Sequence, residues 1–359
     1  MSFTPEHAVC GTCEVAWFLV TDLPPVTRFE TSAGTRLYRI TVPAFPHLKV
    51  HAFQVVAGPP EQPTYSAIVD TGSSEQASQV ALQRGLGLIQ RQFGENVNGQ
   101  SLSRIVLTHA HPDHAGALPA MRRFTRAPTA AHALDAPIIE RPQDYRDLNG
   151  HVVEDYLRWS GIPDGPYADR LRKRSTNSML PSGVPVDTVL QDGDLLDGLL
   201  EVIHTPGHTA GQVCLRVDDL LLTADHVLPL NSPPLMSTRF HPGGGLGPYL
   251  TSLDKIQALE GVRLALGSHD QEMHDWKGRI HNLRERYRQK LSAMREAAQA
   301  PHTLYELNAL TNPRMNDRQA ILLLDQTAAL IEYLLGTGAL VETQGANGHL
   351  FQATGSGAA

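Results

Sequence analysis

Residues 107–116, LTHAHPDHAG, constrain this chain more than any other stretch. They follow the apolar run RIV and bring His109, His111, Asp113 and His114 within six positions. The run predicts a buried strand ending near Thr108. His109 and His111, two apart in an extended turn, can face one point. Asp113 and His114 fall at the start of the next helix. Pro119 is expected in its early turns, because deeper inside it would break the hydrogen-bond ladder. Imidazole and carboxylate are donors suited to zinc, iron or manganese. The plain alternative is four solvated loop residues, and spacing this specific argues against it.

One cluster does not complete two metal sites, so distant donors matter. HTPGHTAG offers His204 and His208, LLTADHVLP offers Asp225 and His226, and LGSHD offers His269 and Asp270. Each follows an apolar strand and ends it in a loop, where a rigid sheet can position ligands. The short β-rich runs TRLYRITVPAF, VHAFQVVAG and YSAIVDTG precede a helix over QASQVALQRGLGLIQRQF, despite its two glycines. Neither a dinucleotide-binding glycine pattern nor a phosphate loop is present. An α/β sandwich follows, with loops after strands carrying the polar residues. From about residue 276 the texture changes to a basic helix, two further helices and a hairpin around GANG, an order that suggests a small winged helix.

Composition bounds the function. The 359 residues suit two domains, or one large domain with an appendage, and 41% apolar content supports real cores. A net charge of −7 argues against general nucleic-acid binding. No secretory signal or membrane-length apolar run is found, and three cysteines make no disulfide framework, so a cytoplasmic home is expected. Cys10 and Cys13 form a lone CGTC, a weak signal read as incidental, and Cys214 reads as a small core residue.

As a set, H-x-H-x-D-H at 109–114, the histidine of TPGHT, an aspartate after an apolar strand and a last histidine after another resemble the metallo-β-lactamase superfamily, over roughly residues 35–275. The resemblance implies an αββα sandwich with a dinuclear metal site at one edge. Carried over, His109, His111 and His208 would hold one ion, Asp113, His114 and His269 the other, and Asp225 would bridge both. Asp70, in IVDTG, would orient ligands by hydrogen bonds. Many relatives end in Pro-Gly-His-Gly where this chain has Gly267-Ser268-His269-Asp270, a departure that bears on the local loop. The implied domains are an N-terminal extension at 1–34 and a metallo-β-lactamase domain at 35–275 with a helical insertion at about 135–185. A linker helix at 276–300 and a winged-helix domain at 301–359 complete them.

Two divalent ions, zinc by ligand type with iron or manganese as options, would acidify a shared water and polarise a carbonyl or phosphoryl oxygen. Asp113 would hold that water as well as an ion. The bridging Asp225 speaks against a true β-lactamase. The ligand set resembles glyoxalase II-like thioesterases and acyl-lactone hydrolases best, so the expected substrate is a small thioester, ester or lactone. A metal-dependent endoribonuclease and a mononuclear-iron persulfide dioxygenase are the alternatives. The nuclease reading leans on Lys277, Arg279, Arg284, Arg286, Arg288, Lys290 and Arg295 along one helix, and on Arg170, Arg172, Lys173 and Arg174. The plainer reading of that helix is a face bridging two domains. In a third, non-enzymatic reading the winged helix makes a homodimer or docks a partner and the metal site is vestigial, which the complete ligand set argues against.

The insertion is expected over the active site, where Tyr145, Tyr156, Trp159 and Tyr167 would either line an acyl pocket or pack the insertion onto the sandwich. His204 is expected to pack on its strand, and His226 to point away from Asp225. His132 can look toward the site or the core. His151, His241, His274 and His281 carry no pattern.

Overall fold

Near-continuous burial along the strands of the N-terminal half, as from Val50 to Val56, builds a sheet with two covered faces. The computed structural model describes residues 25–176, 180–313 and 317–355, so Cys10 and Cys13 lie outside the described residues. The chain begins β1 (Val26–Glu30), β2 (Arg36–Phe45), β3 (Leu48–Ala57), β4 (Tyr65–Val69), α1 (Gln76–Phe93), β5 (Arg104–Val106), α2 (Pro112–Ala115), α3 (Leu118–Met121) and β6 (Thr129–His132). Helices α4 (Ala136–Glu140), α5 (Pro142–Ser160) and α6 (Pro166–Thr176) follow. Then come β7 (Thr188–Leu190), β8 (Leu195–Leu196), β9 (Leu200–His204), β10 (Val213–Val217), β11 (Leu220–Ala224), α7 (Leu246–Gln257) and β12 (Leu264–Gly267). The C-terminal part holds α8 (Trp276–Ala297), α9 (Leu304–Thr311), α10 (Asp317–Gly336) and the hairpin β13 (Leu340–Gln344) and β14 (His349–Ala353).

Strands β1 to β7 pair in sequence order in one seven-stranded sheet. A five-stranded sheet, ordered β12-β11-β10-β9-β8, faces it. Leu37, Phe53, Val55, Val69 and Val106 of the first sheet meet Val202, Val213, Leu215, Leu222 and Leu266 of the second in a dry layer. Helix α1 covers the outer face of the first sheet, and α7 and α8 cover that of the second. The result is an αββα sandwich. Gly85 sits in α1 because a Cβ there would lie 2.3 Å from Ile40, so the helix and sheet approach too closely for a side chain. No helix among the described residues is long and apolar enough to cross a membrane.

Three local expectations are corrected. The sheet starts inside the expected N-terminal extension, since β1 pairs with β2 from Val26 to Glu30. Its half-exposed edge position leaves no apolar alternation to read. Pro119 does not sit in the helix of Asp113 and His114. That helix stops at Ala115, and Pro119 opens the separate turn α3, where its missing N–H costs nothing.

The third correction concerns the insertion. Val153, Tyr156, Leu157 and Trp159 of α5 join the core that α7 to α10 build outside the second sheet. Trp159 packs edge-on against Phe351, its ring centroid 5.3 Å away, and donates to Glu342 at 2.8 Å. Tyr167 meets Tyr305, and Tyr156 meets Phe240. Trp159 and Tyr167 therefore tie the insertion to the C-terminal helices and hairpin, whereas Tyr156 and Tyr145 pack it on the loop before α7. None of the four lines the cleft described below.

Candidate metal centre

The loops after β4, β5, β9, β11 and β12 meet at one edge of the sandwich. Pairing explains why: β4 and β5 run parallel, as do β11 and β12, so their C-terminal ends open on the same side. Asp70 follows β4, His109 to His114 follow β5, His208 follows β9, Asp225 follows β11 and His269 follows β12.

The seven expected donors come together. One atom from each of His109, His111 and His208 lies within 4.8 Å of the others, and the same holds for Asp113, His114 and His269 and for His109, His114 and Asp225. Asp225 faces both groups: its Oδ2 is 3.4 Å from His208 Nε2, and its Oδ1 is 3.5 Å from His114 Nε2 and 3.4 Å from His269 Nε2. Asp113 Oδ2 stands 3.6 Å from His114 Nε2 and 3.7 Å from His269 Nε2. His109 Nε2 is 3.1 Å from His111 Nδ1.

The fit to metal ions rests on what these atoms lack. His114 Nε2, His208 Nε2 and Asp225 Oδ1 are buried without a hydrogen-bond partner, an arrangement that folding alone would penalise. Two tetrahedral ligands each about 2.0–2.2 Å from one ion are themselves roughly 3.3–3.6 Å apart, close to the spacings here.

The opposite ring nitrogens are held by the protein. Asp70 Oδ2 lies 2.8 Å from His114 Nδ1, and the same carboxylate accepts from the Thr108 amide and hydroxyl, both at 2.8 Å. His208 Nδ1 donates to the Pro234 carbonyl at 2.7 Å, and His269 Nδ1 to the Lys49 carbonyl at 2.5 Å. Each contact places the proton on Nδ1 and leaves Nε2 free to ligate.

Electrostatics follow from burial and crowding. Burial holds His109 and His111 well below their ordinary value, and neighbouring imidazoles add to it. Burial also pushes His114 down, but the carboxylates of Asp113, Asp225 and Asp70 overcome it and leave His114 well above its ordinary value. Burial would raise Asp225; His114, His208 and His269 hold it well below the carboxylate range instead.

Backbone strain concentrates here. Asp70, Ala224 and Asp270 have φ of 61°, 47° and 61°, and they are, respectively, beside His114, before Asp225 and after His269. Asp270 occupies the position of the last glycine in Pro-Gly-His-Gly. It takes the left-handed conformation that a glycine would favour, and its carbonyl contacts His51 Nε2 at 2.7 Å. The departure in sequence therefore leaves the loop path open to His269.

Sequence reasoning missed Asp135. Its buried carboxylate accepts from the Ala110 amide at 2.8 Å, the Thr209 hydroxyl at 3.1 Å and the Gly211 amide at 2.9 Å, cross-linking the loops of His109, His111 and His208. Nothing in HALDAPI marks it. Of the remaining histidines, His204 bonds the Ala210 carbonyl and stacks on His132, ring centroids 3.9 Å apart. His226 is buried against Tyr249. His241, which carried no pattern, is buried with Nδ1 2.7 Å from the Tyr145 hydroxyl. His132, His204, His226 and His241 join none of the candidate ligand groups. Cys214 is a core thiol, pushed up to about 12 by burial.

A cleft of about 810 Å³ opens over the cluster. His111, Asp113, His208, Asp225 and His269 form its floor, and Pro43, Phe45, Leu48, Leu228 and Pro234 supply apolar walls. Lys49 stands exposed at its rim.

Comparison with known proteins agrees with this geometry. A sequence model of the family described as "Metallo-beta-lactamase superfamily" matches residues 57–296. A probable metallo-hydrolase of Bacillus subtilis, YqjP, is 23% identical over 285 residues, 74% of this chain and 83% of the relative. The acyl-coenzyme A thioesterase MBLAC2 of Bos taurus is 31% identical over 128 residues, 34% of this chain and 40% of the relative. A crystal structure of a metallo-beta-lactamase family protein from Thermus thermophilus superposes with a TM-score of 0.69 at 24% identity, covering 89% of this chain and 98% of the other. A beta-lactamase domain protein from Burkholderia ambifaria gives 0.72 at 20% identity, covering 93% and 95%.

Proposed function

This chain belongs to the metallo-beta-lactamase superfamily and is a metallo-hydrolase; from that premise we propose that it cleaves a small acyl substrate, a thioester, ester or lactone, with two divalent ions. His109, His111 and His208 would hold one ion, Asp113, His114 and His269 the other, with Asp225 between them. Zinc suits this nitrogen-rich set, and iron or manganese would also be accommodated. When bound, such ions supply Lewis-acid activation of water and of the scissile carbonyl.

The chain's own residues do the rest. Asp70, Pro234 O and Lys49 O hold the imidazoles of His114, His208 and His269 in one tautomer. Asp113 turns an oxygen toward the cleft floor and is the group proposed to accept a proton from the attacking water. The apolar walls seat an acyl chain and exclude water from it. Lys49 offers a cation to an anionic group at the far end of the substrate.

The observation that carries this reading is the apolar-walled cleft directly above the donor cluster. The name of the mammalian relative, acyl-coenzyme A thioesterase, points the same way for the stretch it shares. The basic helix does not favour a nuclease. Arg279 and Arg286 bind loop carbonyls, Arg284 pairs with Asp254, and Arg288 pairs with Glu285. The test is turnover of an acyl-coenzyme A, S-lactoylglutathione, an acyl-homoserine lactone and a short RNA by one metal-loaded sample. Cleavage of an acyl substrate with RNA intact is expected. Cleavage of RNA alone, falling steeply with salt, would overturn the reading.

A further inference from the structure

The segment from Asp225 to Pro234, DHVLPLNSPP, begins at one candidate ligand and ends at the carbonyl that orients another. Pro229, Pro233 and Pro234 have no N–H, so this stretch is poor in donors and rich in acceptors. A loop of this kind must find its donors elsewhere. Helix α8 supplies them. Arg279 donates through Nε to the Leu228 carbonyl at 2.7 Å and through a terminal nitrogen to the Asn231 carbonyl at 2.8 Å. Arg286 reaches the Leu230 carbonyl and the Tyr287 hydroxyl reaches the Pro233 carbonyl, each at 3.4 Å. The next carbonyl, that of Pro234, takes the His208 Nδ1–H at 2.7 Å.

We propose that α8 is a positioning brace for the metal centre, with Arg279 as its principal residue. The planar guanidinium spans two carbonyls three residues apart, a geometry that a lysine cannot reproduce. It thereby holds the loop whose Leu228 and Pro234 wall the cleft and whose last carbonyl selects the His208 tautomer. Two of the basic residues of α8, Arg279 and Arg286, thus serve the acceptor-rich loop beside it. Arg279 touches neither substrate nor ion and acts through the backbone. The proposal rests on the reading of His208 as a ligand.

The experiment compares Arg279→Met, Arg279→Lys and His208→Ala in the full chain. Zinc affinity is read by chelator competition, and amide exchange at His226, Val227 and Leu228, where the loop is buried, by mass spectrometry. Arg279→Met is expected to weaken zinc binding about tenfold and to speed exchange at those amides, in the range found when groups supporting a ligand are removed. Arg279→Lys, which keeps the charge and one donor, is expected to recover part of both and serves alone if the methionine variant does not fold. Unchanged affinity and exchange in the folded Arg279 variants, with an ion lost in His208→Ala, would overturn the brace alone. An undiminished zinc content in His208→Ala would overturn the ligand reading on which the brace depends.

Discussion

Replacing Asp70 by asparagine tests how the chain positions its metal. The carboxylate accepts from Thr108 N on Oδ1 and from Thr108 Oγ1 and His114 Nδ1 on Oδ2. An asparagine that keeps its oxygen on the Thr108 amide must turn its NH₂ toward His114. The His114 Nδ1 then has to accept, and its proton moves to Nε2, the nitrogen that faces Asp113 and Asp225. Asparagine tolerates the left-handed φ of 61° at this position, so the backbone is not disturbed. Loss of such an orienting group costs about 10–100-fold in metal affinity, about 1.4–2.7 kcal/mol. The metal-free variant should keep the parent's circular dichroism but melt lower, because the buried Asp70–His114 contact is lost, and zinc competition against a chromophoric chelator should show the weakened site. A folded Asp70→Asn protein that binds zinc within about threefold of the parent would refute the reasoning.

Other outcomes follow from the same structure. Asp113→Ala should abolish most turnover of the acyl substrate while circular dichroism stays unchanged. Asp135→Ala should lower stability by about 1–3 kcal/mol for each of the buried donors it strands, read by urea unfolding, and should weaken metal binding as the loops of His109 and His208 part. Trp159→Ala should cost about 3–5 kcal/mol by emptying the contact between α5 and the C-terminal hairpin, with metal content per folded chain unchanged. Burial holds His51 at about 4 in the fold against an ordinary value of 6.5. The unfolded chain therefore takes up its proton first, and stability falls as pH drops from about 6.5 toward 4, by up to about 1.4 kcal/mol per pH unit. Denaturation curves for the parent and His51→Gln should show a shallower pH slope in the variant.

The parts of this molecule that chemistry restricts were legible before the structure. Metal donors allow few residue types, and the strand-then-loop pattern around His109, His208, Asp225 and His269 put these residues in loops, while a shared edge was what the family resemblance implied. The sandwich followed from short apolar strands alternating with helices. Backbone acceptors were not legible: the carbonyls of Lys49, Leu228 and Pro234 carry no signature in their side chains, so the partners of His269, Arg279 and His208 emerged only in three dimensions. Asp135 was missed for a related reason, since its donors are two amides and a threonine distant in sequence. The aromatics of α5 and α6 showed that the insertion must bury something, but periodicity does not say against what. They meet Phe240, Tyr305 and Phe351 instead of the cleft.

The central claim is that one donor cluster at the sandwich edge holds two ions. Elemental analysis of the purified full chain, beside Asp225→Ala, tests it most directly. The account predicts about two divalent ions per parent chain and a clear loss in the variant, because Asp225 faces both groups of donors. A parent chain carrying a single iron, or an Asp225→Ala protein with its metal content intact, would contradict it.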